Sequence, residues 1–204
     1  MRAVSGVGRV TVQLPAGVRD VQLDPARHRV VAATLRAVYG IPLLASGRLG
    51  APTVVAELPA ELGIVEHARV ASDGAVVVLT LRGGLVVVEP DGTLVRVAEP
   101  STDYGLVIGL RGLAISPDGQ TIFWGGPTEG VLRRWSRAEH AEQAPFTIPD
   151  APVQSLAVSP DGAQLAVGGH DGSLGLVRIH DGTIEHAVTR VDAAVSDVAF
   201  SPDG

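Results

Sequence analysis

The sequence predicts an all-β protein in which a unit of roughly 42 to 48 residues recurs along the chain. The tetrapeptide Ser-Pro-Asp-Gly occurs three times, at 116–119, 159–162 and 201–204, with offsets of 43 and 42 residues. A constant spacing in this range is typical of repeat architectures. Valine-rich runs alternate with turns, and the 204 residues include 25 glycines and 14 prolines, which indicates many short strands.

The repeated units align over most of the chain. LAISPDGQTIFWGG (113–126) and LAVSPDGAQLAVGG (156–169) are identical at 8 of 14 positions, and VAFSPDG (198–204) begins a further copy. Weaker copies are RVASDGAVVVLTL (69–81) and VQLDPARHRVVAA (21–33). These copies divide the chain into the predicted units 18–62, 63–105, 106–150 and 151–193. Residues 194–204 are predicted to start a fifth unit. Residues 1–17 are predicted to supply, through a strand at Arg9–Leu14, the outer strand of a closing unit.

Each unit contains four strand-like segments joined by short turns. Because strands at 8–12-residue spacing separated by Asp-Gly turns form successive hairpins, each unit is predicted to be a four-stranded antiparallel sheet. The third strand of the first unit is expected near Gly40–Ala45, the fourth strand of the third unit near Pro145–Ile148, and a first strand of the fifth unit from Val195. The residues predicted to build the turns by their backbone preferences are Pro117, Asp118, Gly119, Pro160, Asp161, Gly162, Asp171 and Gly172.

Composition excludes several classes of function. The formal net charge of −6 argues against a nucleic-acid partner, and the absence of cysteine excludes disulfides and thiolate metal sites. The most apolar stretch, 75–88, is interrupted by Arg82 and two glycines, so no membrane partner is expected. Met1–Leu14 lacks the apolar core of a signal peptide, which predicts a cytoplasmic protein. All 16 basic residues are arginine, which indicates a GC-rich, bacterial genome.

Motifs for catalysis or cofactor binding are missing from the sequence. The six histidines do not show the clustered spacing of a metal site, and the Asp-Gly turns lack the oxygen-rich spacing of a calcium loop. Gly6-Val7-Gly8 lacks the third glycine of a dinucleotide site, and no Gly-x-Ser-x-Gly motif is present. The sequence therefore predicts no catalytic residue, no metal and no cofactor.

Four-stranded units of this length, with SPDG between the first two strands, resemble the WD-repeat β-propellers. The likeness is strongest over 153–183, where Gly169–Ser173 matches the family turn before the third strand and His180-Asp181 stands in place of the usual Trp-Asp. The resemblance implies an all-β propeller of about four blades plus one strand of a fifth, an open arc that is a fragment of a larger, seven-bladed ring. Because the family's Gly-His pair is missing, a bacterial propeller of the lactonase or TolB type stays open as an alternative.

The resemblance also implies a function. WD-repeat propellers usually display loops to protein partners, so the chain is expected to be a non-enzymatic protein–protein interaction scaffold of a larger bacterial signalling or regulatory protein. Its protein or peptide partner would dock on the loops between blades and between second and third strands. The candidate partner-binding residues in or beside those loops are Arg36, Tyr39, Arg82, Tyr104 and His170.

The alternative is a hydrolytic or lactonase-like enzyme with an active site at the channel mouth, for which Asp103, Glu129 and His170 are the candidates. A periplasmic accessory protein is a third possibility, which a signal sequence upstream of Met1 would reveal. An open arc is further expected to expose an apolar blade face and to self-associate.

Overall fold

The computed structural model describes residues 12–100, 112–125, 130–148, 153–188 and 191–204, and these form four antiparallel sheets of four strands each. Apart from one 3-10 turn at Ala60–Leu62, the regular structure in these ranges is all β. We call the sheets blades 1 to 4. Their strands are β1 (Val18–Asp24), β2 (Arg29–Thr34), β3 (Ala37–Pro42) and β4 (Thr53–Glu57); β5 (Val65–Val70), β6 (Val76–Thr80), β7 (Leu85–Val88) and β8 (Leu94–Ala98); β9 (Leu113–Ile115), β10 (Thr121–Gly125), β11 (Val131–Ser136) and β12 (Ala141–Thr147); β13 (Val153–Val158), β14 (Gln164–Gly169), β15 (Leu174–Arg178) and β16 (Ile184–Val188).

The first strands of consecutive blades lie side by side. Contacts join β1 to β5, β5 to β9, and β9 to β13, while the remaining strands of each blade follow outward in chain order. The four blades are not closed into a ring. This arrangement confirms the predicted fold class, which is that of a β-propeller fragment.

The apolar cores lie between the blades. Strand β6 shows how one strand serves two cores, because successive side chains of a strand point to opposite faces. Val76 and Val78 pack against blade 1, whereas Val77 and Leu79 pack against blade 3. All five residues of β6 are therefore buried, which explains why the second strand of a blade is apolar without alternation.

Blade 3 repeats this pattern with larger side chains. Phe123 faces blade 4, and its neighbours Ile122 and Trp124 face blade 2. Phe123 and Ile122 have no exposed surface. Full burial of a side chain of this size contributes about 2 to 3 kcal/mol, so the contacts between blades are a main source of stability.

The Ser-Pro-Asp-Gly turns of blades 3 and 4 share one hydrogen-bond pattern. In the turn of blade 3, Asp118 Oδ1 accepts a hydrogen bond from the backbone N–H of Gln120, and Ser116 Oγ accepts one from that of Thr121. The turn of blade 4 forms the same bonds through Asp161 and Ser159. The glycine that closes each turn has a φ of 75°, in the left-handed region.

Two strands lie at positions different from those expected. Strand β3 begins at Ala37 and ends at Pro42, so the expectation of a strand near Gly40–Ala45 was wrong by about three residues. Strand β12 begins at Ala141, well before the expected start at Pro145. In both cases the preceding turn lacks an Asp-Gly pair: β2 and β3 are joined through Leu35 and Arg36, and His140 itself adopts a left-handed φ of 49°.

Neither of the two expected terminal strands is seen in the described residues. Residues 12–14 have no strand conformation, and residues 9–11 of the expected strand Arg9–Leu14 lie outside the described ranges. Residues 191–204 likewise contain no strand, although Val191 and Val195 donate single backbone hydrogen bonds to the hairpin of blade 4. No helix in the described ranges is long and apolar enough to cross a membrane.

Candidate functional site

The hairpins between second and third strands of blades 1, 2 and 4 lie on the same side of the molecule as the described connections that follow blades 1 and 4, and we call this side the loop face. The backbone N–H of Val65, at the start of blade 2, donates to the carbonyl of Leu35 in the hairpin of blade 1 (3.2 Å). The adjacent residue, Ile64, accepts from the N–H of Leu81 in the hairpin of blade 2 (2.9 Å). Two neighbouring backbone groups therefore hold two hairpins beside each other.

The same connection recurs after blade 4. The N–H of Val191 donates to Gly172, and the N–H of Val195 donates to Gly169, each at 3.0 Å. Gly172 has a φ of 84°, and a Cβ atom at this position would lie 2.0 Å from the carbonyl oxygen of Val191. Only glycine permits this approach, so Gly172 fixes the connection against its hairpin.

Three of the five candidate partner-binding residues lie on the loop face. Arg36, Arg82 and His170 are exposed in the second-to-third-strand hairpins of blades 1, 2 and 4. Within the described part of the chain, no hydrogen bond or ion pair engages the guanidinium groups of Arg36 and Arg82. Both cations are therefore available to a partner.

The other two candidates lie elsewhere. Tyr39 was expected in a loop, but it lies in β3. It pairs there with Ala32 and Val54 and is half-buried. The strand begins three residues earlier than expected, which draws Tyr39 into the sheet. Tyr104 lies outside the described residues.

A second set of polar residues lies at equivalent positions on the first strands of the blades. Strands β1, β5 and β13 each have an irregularity of register at their second residue, and the third residue is then Asp20, His67 or Ser155. Val195 forms the same kind of connection as Val65, so Asp197, two residues on, is the counterpart of His67. Four polar residues thus occupy one position of the repeat.

Asp20 joins blade 1 to blade 2 through this position. Its Oδ2 atom accepts hydrogen bonds from the backbone N–H of Ala68 (3.0 Å) and from Nη1 of Arg69 (3.1 Å), and lies 3.4 Å from Nδ1 of His67. Gln22 donates to Oδ1 at 3.2 Å. Burial raises the pKa of the Asp20 carboxyl, but the hydrogen bonds from His67, Ala68 and Gln22 and the charge of Arg69 outweigh it and lower the pKa to about 2. Asp20 is therefore an ionised structural group, not a proton donor near neutral pH.

Ser155 joins blade 4 to the chain segment that follows it, as Asp20 joins blade 1 to blade 2. Its hydroxyl donates to the carbonyl of Val195 at 2.9 Å, and the residue is 3% exposed. In blade 3 the position before β9 is Gly112, where a Cβ atom would lie 2.6 Å from the side chain of Val153. Asp20 and Ser155 thus bond to the next segment of the repeat, and Gly112 leaves space for it.

These residues surround a cavity of about 350 Å³ between the first strands. Because His67 and Asp197 follow directly on the loop-face connections at Val65 and Val195, the cavity lies at the loop-face end of these strands. We call it the channel mouth; Asp20, Gln22, His67, Arg69, Ser155 and Asp197 are among the residues that line it.

The structure describes only one of the three residues of the enzymatic alternative. His170 is exposed on the hairpin of blade 4, and Asp103 and Glu129 lie outside the described residues. No group of three or more His, Asp and Glu side chains in the described ranges is arranged to hold a metal ion. The hydroxyl of Ser155, at the channel mouth, donates its hydrogen bond to the backbone carbonyl of Val195.

Comparison with known families supports the architecture. Residues 143–176 match the WD40 family model, described as WD domain, G-beta repeat. The matched segment extends from β12 of blade 3 through β13 and β14 of blade 4 to the start of β15, and includes the Ser-Pro-Asp-Gly turn at 159–162. Residues 143–176 thus carry a WD40 repeat, and the four-stranded antiparallel sheets of the described residues are consistent with blades of a WD-repeat β-propeller.

Proposed function

We propose that the chain is a non-enzymatic interaction scaffold that binds a protein or peptide on its loop face, in the cytoplasm, as part of a bacterial signalling or regulatory protein. The observation that carries the proposal is the pair of unengaged guanidinium groups, Arg36 and Arg82, on hairpins that are held together by backbone hydrogen bonds. Arginine is enriched in protein interfaces because it combines a large contact area with several hydrogen-bond donors.

Rigidity of the hairpins supports this function. The carbonyl of Arg36 accepts a hydrogen bond from Leu58 at 2.8 Å, and the backbone of Leu81 donates to Ile64 at 2.9 Å. A binding surface whose backbone is already ordered loses less entropy when a partner docks. The two arginines favour carboxylate groups on that partner, since a guanidinium matches a carboxylate in charge and geometry.

Site-specific photo-crosslinking in cells tests the proposal. A benzophenone amino acid is placed at position 36, at position 82, or at position 48. Arg48 is the matched control, because it is an exposed arginine in the loop between β3 and β4, at the opposite end of blade 1 from Arg36. We expect positions 36 and 82 to crosslink to the same protein and position 48 not to do so. Equal crosslinking from all three positions, or none from 36 and 82, would overturn the proposal.

A further inference from the structure

Apolar side chains lie between the two unengaged arginines of the loop face. Leu35 precedes Arg36 in the hairpin of blade 1, and Leu81 precedes Arg82 in the hairpin of blade 2. The connection between these blades contains Ile64 and is hydrogen-bonded to both hairpins, at Leu35 and at Leu81. Leu35 and Ile64 are 41% and 40% exposed, and Leu81 is half-buried. We call these three residues the apolar strip; a guanidinium group flanks it on each side.

The backbone that carries the apolar strip is fixed from within. Leu58 and Leu62, before and at the end of the 3-10 turn, are 5% and 1% exposed and belong to the core between blades 1 and 2. In the hairpin of blade 1, Thr34 Oγ1 donates to the carbonyl of Ala37 at 3.1 Å. Gly83 closes the hairpin of blade 2 with a left-handed φ of 77°. A partner therefore meets the strip on an ordered backbone, which lowers the entropy lost on binding.

The acidic residues near the strip leave its two arginines unneutralised. Glu61, in the connection, is paired with Arg96 at 2.6 Å. Glu57, at the end of β4, is exposed and has no ion pair with Arg36 in the described part of the chain. The chain as a whole carries a net charge of −6, so the positive charge at the strip is local. Charge complementarity therefore selects an acidic segment of a partner for this surface.

We infer that the apolar strip binds an extended segment in which one apolar side chain lies between two carboxylates. The two backbone hydrogen bonds each span about one strand spacing, so the hairpin backbones lie about 10 Å apart. Alternate residues of an extended segment point to the same side, and three of them cover about 13 Å. The apolar side chain would contact Leu35 and Ile64, and the carboxylates would pair with Arg36 and Arg82. This inference rests on the proposed function, since it names the chemistry of the partner that docks there.

Titration of the isotope-labelled full chain with a blocked pentapeptide, glutamate-serine-leucine-serine-glutamate, tests the inference by NMR. We expect saturable shifts concentrated at the backbone amides of Leu35, Ile64 and Arg82. A second probe has glutamine in place of both glutamates and should bind at least about fivefold more weakly, because both ion pairs are lost. A third probe has serine in place of leucine and should also bind at least about fivefold more weakly, because the apolar contact is lost.

The variants Ile64→Ser and Leu35→Ser are each expected to weaken binding of the leucine probe by about fivefold. Leu44→Ser is the matched control. Leu44 is 48% exposed and is hydrogen-bonded to the backbone of the exposed Arg48, in the loop between β3 and β4 at the opposite end of blade 1. The control should bind the probe like the parent chain. Equal binding of the three probes, no saturation, or no effect of either variant would overturn the inference.

The two proposals can fail separately. Crosslinks from positions 36 and 82, together with equal binding of the leucine and serine probes, would retain the loop face as the docking surface and refute the apolar strip as a binding site. Probe binding that depends on Ile64, without crosslinks from the loop face, would support the strip as a binding site and refute the proposed partner surface.

Discussion

Oδ2 of Asp20 lies 3.1 Å from Nη1 of Arg69, so an ion pair joins the first strand of blade 1 to the first strand of blade 2. The same oxygen accepts a hydrogen bond from the backbone of Ala68 at 3.0 Å. The Asp20 side chain is 15% exposed, so these interactions are only partly screened by water. Asp20 therefore contributes to the contact between two blades as well as to the channel mouth.

Asp20→Asn should destabilise the chain in a pH-dependent manner. A pKa lowered from 3.8 in the unfolded chain to about 2 in the folded chain corresponds to about 2 kcal/mol of stability above pH 4. Because the folded-state pKa is the lower one, this stability is present above the unfolded pKa and is lost as the pH falls through about 4 to about 2. Urea unfolding of the parent and the variant at pH 7 and at pH 2 to 3 measures the difference.

The control for this experiment is Asp192→Asn, which changes an exposed carboxylate that forms no hydrogen bond in the described structure. It should leave the free energy of unfolding within about 0.5 kcal/mol of the parent. A constant difference between Asp20→Asn and the parent at every pH would contradict the assigned role of the carboxylate charge.

The turn glycines should differ in their tolerance of alanine. Gly162 has a left-handed φ of 75°, but a Cβ atom added there would have no neighbouring atom nearer than 3.5 Å, so Gly162→Ala should cost about 1 to 2 kcal/mol from backbone strain alone. Gly172→Ala should cost more, since its Cβ would also collide with the carbonyl of Val191. Gly17, which has no positive φ and no neighbouring atom within 4 Å, is the control and should tolerate alanine. Thermal unfolding of the three variants gives the order, and equal losses would refute the argument.

Ser155→Ala should loosen the segment after blade 4. The substitution removes the hydrogen bond to the carbonyl of Val195 and leaves that acceptor unpaired, at a cost of about 1 to 3 kcal/mol. We expect faster amide hydrogen exchange at Val195, whose N–H is bonded to Gly169 in the same connection. Ser196→Ala, at an exposed serine without a side-chain hydrogen bond in the described ranges, serves as the control. Unchanged exchange at Val195 in Ser155→Ala would show that this bond does not hold the segment.

Blade 1 exposes apolar side chains on the side away from blade 2. Val21 and Leu23 are 54% and 59% exposed, whereas Ala68, the counterpart of Val21 in blade 2, is buried against blade 1. We expect the chain to self-associate at micromolar concentration, and Val21→Ser with Leu23→Ser to reduce this association, as measured by sedimentation velocity. A purely monomeric parent chain at all concentrations would contradict the expectation.

The sequence predicted the architecture well because the repeat carries its own turn signals. Strand β8 begins just after an Asp-Gly turn and strand β13 ends just before a Ser-Pro-Asp-Gly turn, so residue type marks where these strands lie. Strands β3 and β12 were misplaced because Arg36 and His140 lie in turns without glycine, where the backbone conformation is not evident from residue type. Turn chemistry thus determined both the successes and the errors.

The channel mouth was not predicted from the sequence. Asp20 and His67 are 47 residues apart, and they meet only because β1 and β5 pack side by side after equivalent register irregularities. A signal was nevertheless present, since alignment of the units places Asp20, His67, Ser155 and Asp197 at one position within otherwise apolar strands. A recurrent polar residue in a buried strand indicates a shared environment, which is not apparent when each histidine and aspartate is considered separately.

The most direct test of the account is the affinity of the crosslinked partner for the double variant Arg36→Glu, Arg82→Glu, measured by isothermal titration calorimetry against the parent and against Arg48→Glu. Both arginines are exposed, so the variants should retain the fold. The account predicts that the double variant binds at least about tenfold more weakly, because opposed charges are replaced by like charges, while Arg48→Glu binds like the parent. Equal affinity of the parent and the double variant would contradict the claim that the loop face is the binding surface.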